Sequence, residues 1–258
     1  MRIEDKVAVI TGGARGFGKR LAELIVDNGG KVVLGDILDE GALVARELNR
    51  RDSETVAVFQ KCDVSNLSDI DALIKRAIDE FGILDIMVNN AGVVGSLLWT
   101  DNSTSYEQVI DINLKAPIEG TRLAVKYFLE TGIPGCVVNV ASMMAFYPME
   151  YGPVYGATKS ALVNFTASCA TLAQLNPPIR VNAIAPNFAN TNMVHSPILD
   201  SVHKQKLLDV DEVVVQMIRC IEDERLAGDT IKIMQGMPPV LNKGRKAVAS
   251  GVITCAKL

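Results

Sequence analysis

Tyr155 and Lys159 stand four residues apart in Tyr155-Gly156-Ala157-Thr158-Lys159, a spacing that puts both on one face of a helix. An unperturbed tyrosine titrates near pH ~10 and is a poor base at neutral pH. A lysine ammonium one turn away favours the phenolate. The spacing therefore predicts that Lys159 lowers the Tyr155 pKa and makes it a general acid/base. Ser142 lies 13 positions upstream of Tyr155, just after an apolar strand-like run, where its hydroxyl is expected to hold a substrate oxygen. Taken alone, a Tyr-x-x-x-Lys pair is common, and its plain reading is two neighbours on a helix surface.

A second constellation opens the chain. The run Thr11-Gly12-Gly13-Ala14-Arg15-Gly16-Phe17-Gly18 follows the first apolar stretch and precedes an amphipathic one. Gly12 permits a tight turn, Gly16 lets the backbone approach a pyrophosphate, and Gly18 lets helix and strand pack closely. The helix N-terminus then offers free N–H groups to the phosphates. Asp36, with Ile37 beside it, closes the second apolar run. A carboxylate there accepts the adenosine ribose hydroxyls and repels a 2′-phosphate, which favours NAD. Arg15 points the other way, since it could pair with that phosphate. Asp36 outweighs it, because the carboxylate would first have to be neutralised.

These residues need a scaffold, and the periodicity supplies one. Apolar, β-branched runs at 7–10, 31–34, 56–59, 86–88, 136–140, 180–184 and 230–233 read as seven short strands. Helix-length amphipathic stretches lie between them, at 17–28, 67–81, 105–130, 154–175 and 211–222 among others. Such alternation predicts a doubly wound α/β fold of the Rossmann type. Its sheet is mostly parallel and seven-stranded, with helices on both faces. No composition break divides the chain, so residues 1–237 are expected to form one cofactor- and substrate-binding domain. Residues 238–258 lose periodicity and read as a tail.

Bulk composition excludes other classes. Hydrophobic residues at 48% and charged ones at 22% suit a buried sheet. A formal net charge of −4 argues against a nucleic-acid surface, and no apolar run is long enough to span a membrane. The charged N-terminus leaves no room for a signal peptide. Five scattered cysteines without a CxxC pair point to a reducing compartment. His195 and His203 belong to no ligand motif, so no metal is expected.

In order and spacing, Thr11-Gly12…Gly16-Phe17-Gly18, Asp63-Val64, Asn89-Asn90-Ala91-Gly92, Asn113, Ser142, Tyr155…Lys159 and Pro186…Thr191 resemble the short-chain dehydrogenases/reductases over about the first 190 residues. The pattern is similar above all to the branch of 15-hydroxyprostaglandin dehydrogenase and insect alcohol dehydrogenase. The resemblance implies an NAD-dependent alcohol dehydrogenase or reductase. It puts Asp63 and Val64 beside the adenine and Asn90, Ala91 and Gly92 at the middle of the cofactor. It gives Lys159 a second role on the nicotinamide ribose, places Tyr155 against the cofactor too, and sets Pro186, Phe188 and Thr191 beside the carboxamide. Asn113 matches a helix-interrupting residue that holds a water in the proton path behind Lys159. Two departures stand out. Asn187 replaces the family's usual glycine, and Asn tolerates the left-handed backbone that glycine supplies. Gln235-Gly236-Met237 replaces the usual ending of the last strand.

Leu97, Met143, Met144, Phe188 and Met193 flank the catalytic positions and are expected to wall a pocket for a lipophilic secondary alcohol or ketone. Rival readings are a nucleotide-sugar epimerase, for which the chain after Thr191 is short, and a non-catalytic NAD-binding sensor or scaffold, which would lack Ser, Tyr or Lys. By family resemblance a homodimer or homotetramer is expected through helices 105–130 and 154–175. The ending Ala256-Lys257-Leu258 is a variant of the Ser-Lys-Leu import signal, which leaves peroxisomal and cytoplasmic addresses side by side.

Overall fold

The β-branched runs become the strands of one sheet. In the computed structural model, which describes residues 1–95, 98–99, 105–148, 150–191, 193 and 207–244, the first six are β1 (Val7–Thr11), β2 (Lys31–Asp36), β3 (Ala57–Lys61), β4 (Ile86–Asn89), β5 (Gly135–Val140) and β6 (Ile179–Pro186). Then come β7 (Thr230–Ile233) and β8 (Val240–Asn242). The order across the sheet is β3-β2-β1-β4-β5-β6-β7-β8. All neighbours are parallel except β8, which runs antiparallel to β7. The fold is the expected doubly wound α/β Rossmann architecture, with eight strands where the sequence suggests seven.

The eighth strand corrects the expected tail at its start. Residues Val240, Leu241 and Asn242 pair with Lys232, Ile231 and Thr230. The buried Asp229 carboxylate then accepts the Gly244 amide at 3.0 Å and the Lys243 ammonium at 3.2 Å. Residues 245–258, with Ala256-Lys257-Leu258, lie outside the described residues, as do His195 and His203.

Among the described residues seven α-helices cover the sheet: α1 (Gly16–Asp27), α2 (Glu40–Asn49), α3 (Leu67–Phe81), α4 (Ser105–Ile110), α5 (Ala116–Thr131), α6 (Pro153–Ser168) and α7 (Val210–Glu222). Period-two alternation sends β1 side chains to two cores, Ala8 and Ile10 to one and Val7 and Val9 to the other. On α3, Ile70, Leu73, Ile74 and Ala77 form a buried stripe at helical spacing. Each large member contributes about 1.5–3 kcal/mol on burial. Gly82, at φ 81°, ends that helix in the left-handed conformation. The stretch 105–130 is not one helix. A π-helical turn over Asp111–Lys115 separates α4 from α5, and a 3₁₀ turn over Cys169–Gln174 follows α6. Among the described residues no helix is long and apolar enough to cross a membrane.

The strand order reverses between β1 and β4. At such a switch point the crossover helices depart to opposite faces and leave a crevice beyond the carboxyl ends of the strands. Every motif singled out in the first 190 residues sits on that edge or directly under it.

Candidate active site

A cleft of about 770 Å³ runs along the carboxyl edge from β2 to β6, within the range of cofactor-sized sites. Gly12, Arg15, Gly16, Phe17, Asp36, Ile37, Asp63 and Val64 line one end. Asn90, Ala91 and Gly92 line the middle, and Ser142, Tyr155, Lys159, Pro186 and Phe188 the other end. Thr191 lies over the glycine turn, where a Cβ added at Gly16 would come within 3.6 Å of Thr191 Cγ2. Gly18 lies beneath, where an added Cβ would run into the Gly12 carbonyl. It serves the close helix–strand packing expected of it.

The glycine turn is tied down from β4. Thr11 Oγ1 accepts the backbone amides of Asn90 (3.0 Å) and Ala91 (3.1 Å), and Asn90 Nδ2 donates to the carbonyls of Thr11 (2.8 Å) and Gly12 (3.0 Å). Gly12 sits at φ 66°, and a Cβ there would stand 2.9 Å from Asn90 Nδ2, so both conformation and space demand glycine. The helix that follows has no side-chain cap and no acidic residue in its first turn. Its free N–H groups and dipole suit a pyrophosphate. Asp36 Oδ2 accepts the Ala14 amide at 2.9 Å and Oδ1 accepts the Leu38 amide at 3.0 Å. The carboxylate is thus held at the cleft wall, while Arg15 remains exposed. These features fit a dinucleotide with an unphosphorylated adenosine ribose.

At the far end, Ser142, two residues past β5, is extended and its Oγ accepts the Met144 amide at 3.2 Å. The Ser142 hydroxyl lies close enough to the Tyr155 phenol to draw its pKa down. Lys159 Nζ donates to the Val140 carbonyl at 2.8 Å and lies 5.6 Å from the Tyr155 ring centroid. All three side chains are buried. Burial raises the Tyr155 pKa above its ordinary value, with the Ser142 hydrogen bond pulling the other way. Burial also lowers Lys159 to about 8. The Tyr–Lys spacing predicts that the lysine brings the phenol down. Instead desolvation dominates both groups in the protein alone, since each loses water in its charged form.

Asn113 sits in the π-helical turn, fully buried. Its Oδ1 accepts the Val93 amide at 2.9 Å and its Nδ2 donates to the Val93 carbonyl at 2.7 Å. It does not line the cleft. It lies behind Gly92, where an added Cβ would come within 3.3 Å of Asn113 Oδ1 and 3.5 Å of Lys159 Nζ.

The five residues expected to wall the substrate part company. Met144, Phe188 and Met193 line the cleft. Met143 does not. It packs with Ala141, Ala183 and Ala185 at 1% exposure, because Met143–Ala145 is a 3₁₀ turn that points successive side chains about 120° apart. Leu97 lies outside the described residues. Asn187 also departs from expectation. It is not among the residues with positive φ, so it does not imitate a left-handed glycine.

Several lining residues went unnoticed in the sequence. Gln108 joins the wall with Ile112, four positions on, and that spacing was the available signal. Cys62 also borders the cleft, and burial pushes its thiol up to about 12, which makes it a poor nucleophile.

Residues 6–200 match the family model described as short chain dehydrogenase. The 15-hydroxyprostaglandin dehydrogenase [NAD(+)] of Macaca fascicularis is 33% identical over 252 residues, covering 90% of this chain and 92% of that protein. A 3beta-hydroxysteroid dehydrogenase of Eggerthella lenta is 36% identical over 193 residues, covering 74% of each. Among solved structures, 3-ketoacyl-(acyl-carrier-protein) reductase from Brucella melitensis complexed with NADH superposes with a TM-score of 0.79 at 28% identity, covering 91% of this chain and 98% of that one. Sheet order, glycine turn and buried Ser–Tyr–Lys cluster thus coincide with a family match over well over half the sequence: the chain belongs to the short-chain dehydrogenases.

Proposed function

We propose that this protein is an NAD-dependent oxidoreductase that interconverts a lipophilic secondary alcohol and its ketone. The observation that carries the reading is the convergence of Ser142, Tyr155 and Lys159 at one end of a cleft whose other end presents Asp36. Bound NAD supplies the hydride acceptor, and its reduced form the donor.

In the oxidative direction the alcohol oxygen sits against the Ser142 hydroxyl and the Tyr155 phenolate oxygen. The hydroxyl proton passes to Tyr155 as the carbon gives up its hydride, leaving a ketone. Lys159, held by the Val140 carbonyl, brings a positive charge near the phenol, which favours the phenolate against the cost of its burial. Asn113 braces Val93 on the opposite side and, by family resemblance, holds the water behind Lys159. The cleft lining includes the apolar Val94, Met144, Phe188 and Met193, which suits a neutral, lipophilic molecule. The relatives named for a prostaglandin and a steroid alcohol point the same way.

The test is NADH formation from a panel of secondary alcohols graded in size and polarity, with Tyr155→Phe as control. Turnover of bulky apolar alcohols is expected, and none with any of them would defeat the reading. Binding of NADH without turnover would favour a sensor instead.

Assembly and address are proposals of the same kind. A homodimer or homotetramer through α5 and α6 predicts a multiple of the 27.8 kDa chain mass in light scattering; a monomer at micromolar concentration would refute it. Peroxisomal import through Ala256-Lys257-Leu258 predicts punctate fluorescence from a reporter fused ahead of residues 247–258, lost on deleting Leu258. Diffuse signal, unchanged when Leu258 is deleted, would dispose of the import signal.

A further inference from the structure

Gln235 lies just beyond β7 and outside the cleft, in the ending that departs from the family pattern, yet both polar atoms of its amide are spent on the cleft wall. Its Nε2 donates to the Phe188 carbonyl at 2.8 Å, and its Oε1 accepts from Asn187 Nδ2 at 2.9 Å. Asn187 and Phe188 both line the cleft. The Asn187 amide is bonded to the Ile233 carbonyl at 2.9 Å, so the backbone on either side of the bracket is joined as well. On its other flank the same segment is stitched to the approach to α7. The Leu208 amide donates to the Phe188 carbonyl at 2.9 Å, and the Asn190 amide to the Leu208 carbonyl at 3.0 Å. The Phe188 carbonyl thereby receives two donors, one from each side. Phe188, Val94 and Leu207 pack into one small apolar cluster, which links the wall after β6 to the one after β4.

We propose that Gln235 is a positioning residue that sets the Phe188 wall, and with it the size of the substrate end of the cleft. The geometry fixes the direction of its amide. The Phe188 carbonyl requires the NH₂ end, so the oxygen must face Asn187, which answers with its own NH₂. An aspartate at 187 or a glutamate at 235 would leave one of these contacts as acceptor against acceptor. Asn187 is therefore explained by a partner 48 positions away rather than by its backbone angles. The consequence for turnover rests on the alcohol–ketone reading above; the bracket itself does not.

Gln235→Met keeps length and bulk but removes both hydrogen bonds, and Asn187→Ala removes one from the other side. Hydrogen exchange of the ligand-free protein should accelerate about tenfold in peptides covering 186–191 and 207–209 and stay unchanged elsewhere, as expected when ordinary hydrogen bonds guard a local opening. Tm should hold within about 4 °C. With a bulky apolar alcohol, KM should rise about fivefold while kcat changes less than about twofold, the signature of lost binding rather than lost chemistry. Unchanged exchange at 186–191 in both variants would overturn the proposal. So would faster exchange throughout the chain with kcat and KM both impaired, since Gln235 would then only stabilise the fold. Local loss of protection in a protein that oxidises no alcohol would sustain the bracket and overturn the alcohol–ketone reading.

Discussion

Lys159 spends one ammonium hydrogen on the Val140 carbonyl at 2.8 Å while its charge stands 5.6 Å from the Tyr155 ring centroid. The carbonyl that anchors the lysine is the last of β5, two residues before Ser142. One strand end therefore fixes both neighbours of the phenol. Removing only the phenol oxygen should leave that frame intact. Tyr155→Phe is expected to lower kcat by about 10²–10⁴-fold, the usual worth of a positioned acid/base, with the NADH Kd within about twofold of the unaltered protein. Near-normal kcat would mean that another group moves the proton.

The same lysine predicts a pH dependence of stability. Its folded pKa is depressed to about 8, whereas the unfolded chain keeps its ordinary value of 10.5. Between those values the unfolded state binds more protons, so stability rises with pH there. Relative to Lys159→Met, the unaltered protein should gain up to about 3 kcal/mol from pH 8 to 10.5. Urea titrations across that range give the difference, and a flat one would show that Lys159 is not desolvated as described.

Asp36 should govern cofactor choice. With its carboxylate bonded to the Ala14 and Leu38 amides, it cannot swing away from a 2′-phosphate. The protein should bind NADH well over tenfold more tightly than NADPH, since each factor of ten needs only about 1.4 kcal/mol of repulsion. Asp36→Ala should narrow that gap and, by orphaning two amides, cost about 1–3 kcal/mol of stability. Fluorescence titration with both nucleotides checks the first part, and equal affinities in the unaltered protein would refute it.

Met143 and Met144 should part company. Met143→Ala opens a cavity among Ala141, Ala183 and Ala185 and is expected to cost about 2–5 kcal/mol of stability with little change in KM. Met144→Ala should alter KM for bulky alcohols and leave Tm nearly unmoved. Thermal melts beside steady-state kinetics separate the two, and a KM effect confined to Met143→Ala would reverse their placement.

Much of this was legible in the sequence because it rests on local chemistry. Seven strands announced themselves through β-branched runs, and α3 through an apolar stripe that ends at Gly82. The glycine turn, Asp36 and the Tyr–Lys pair lie at spacings that a strand end or a helical turn enforces. What escaped depends on partners distant in sequence or on shorter helical periods. The π-helical break at Asp111–Lys115 is held by Asn113 reaching Val93. The Met143–Ala145 turn divides two adjacent methionines between core and cleft. Val240–Asn242 is too short to show a period and becomes a strand only because β7 lies open beside it. Nor does spacing reveal burial, so the direction of the Tyr155 shift was not readable from the Tyr–Lys pair.

That short eighth strand also determines how the sheet ends. Without it, the main-chain donors and acceptors along the outer side of β7 would lie open, a template on which a foreign chain could build. Val240, Leu241 and Asn242 occupy those groups from the opposite direction. Their own outer side is only three residues long, follows Pro238 and Pro239, and is fastened at its far end through Gly244 to Asp229. Prolines next to so brief a strand offer an incoming chain almost no register to adopt. The protein thus carries its own terminator against edge-to-edge aggregation.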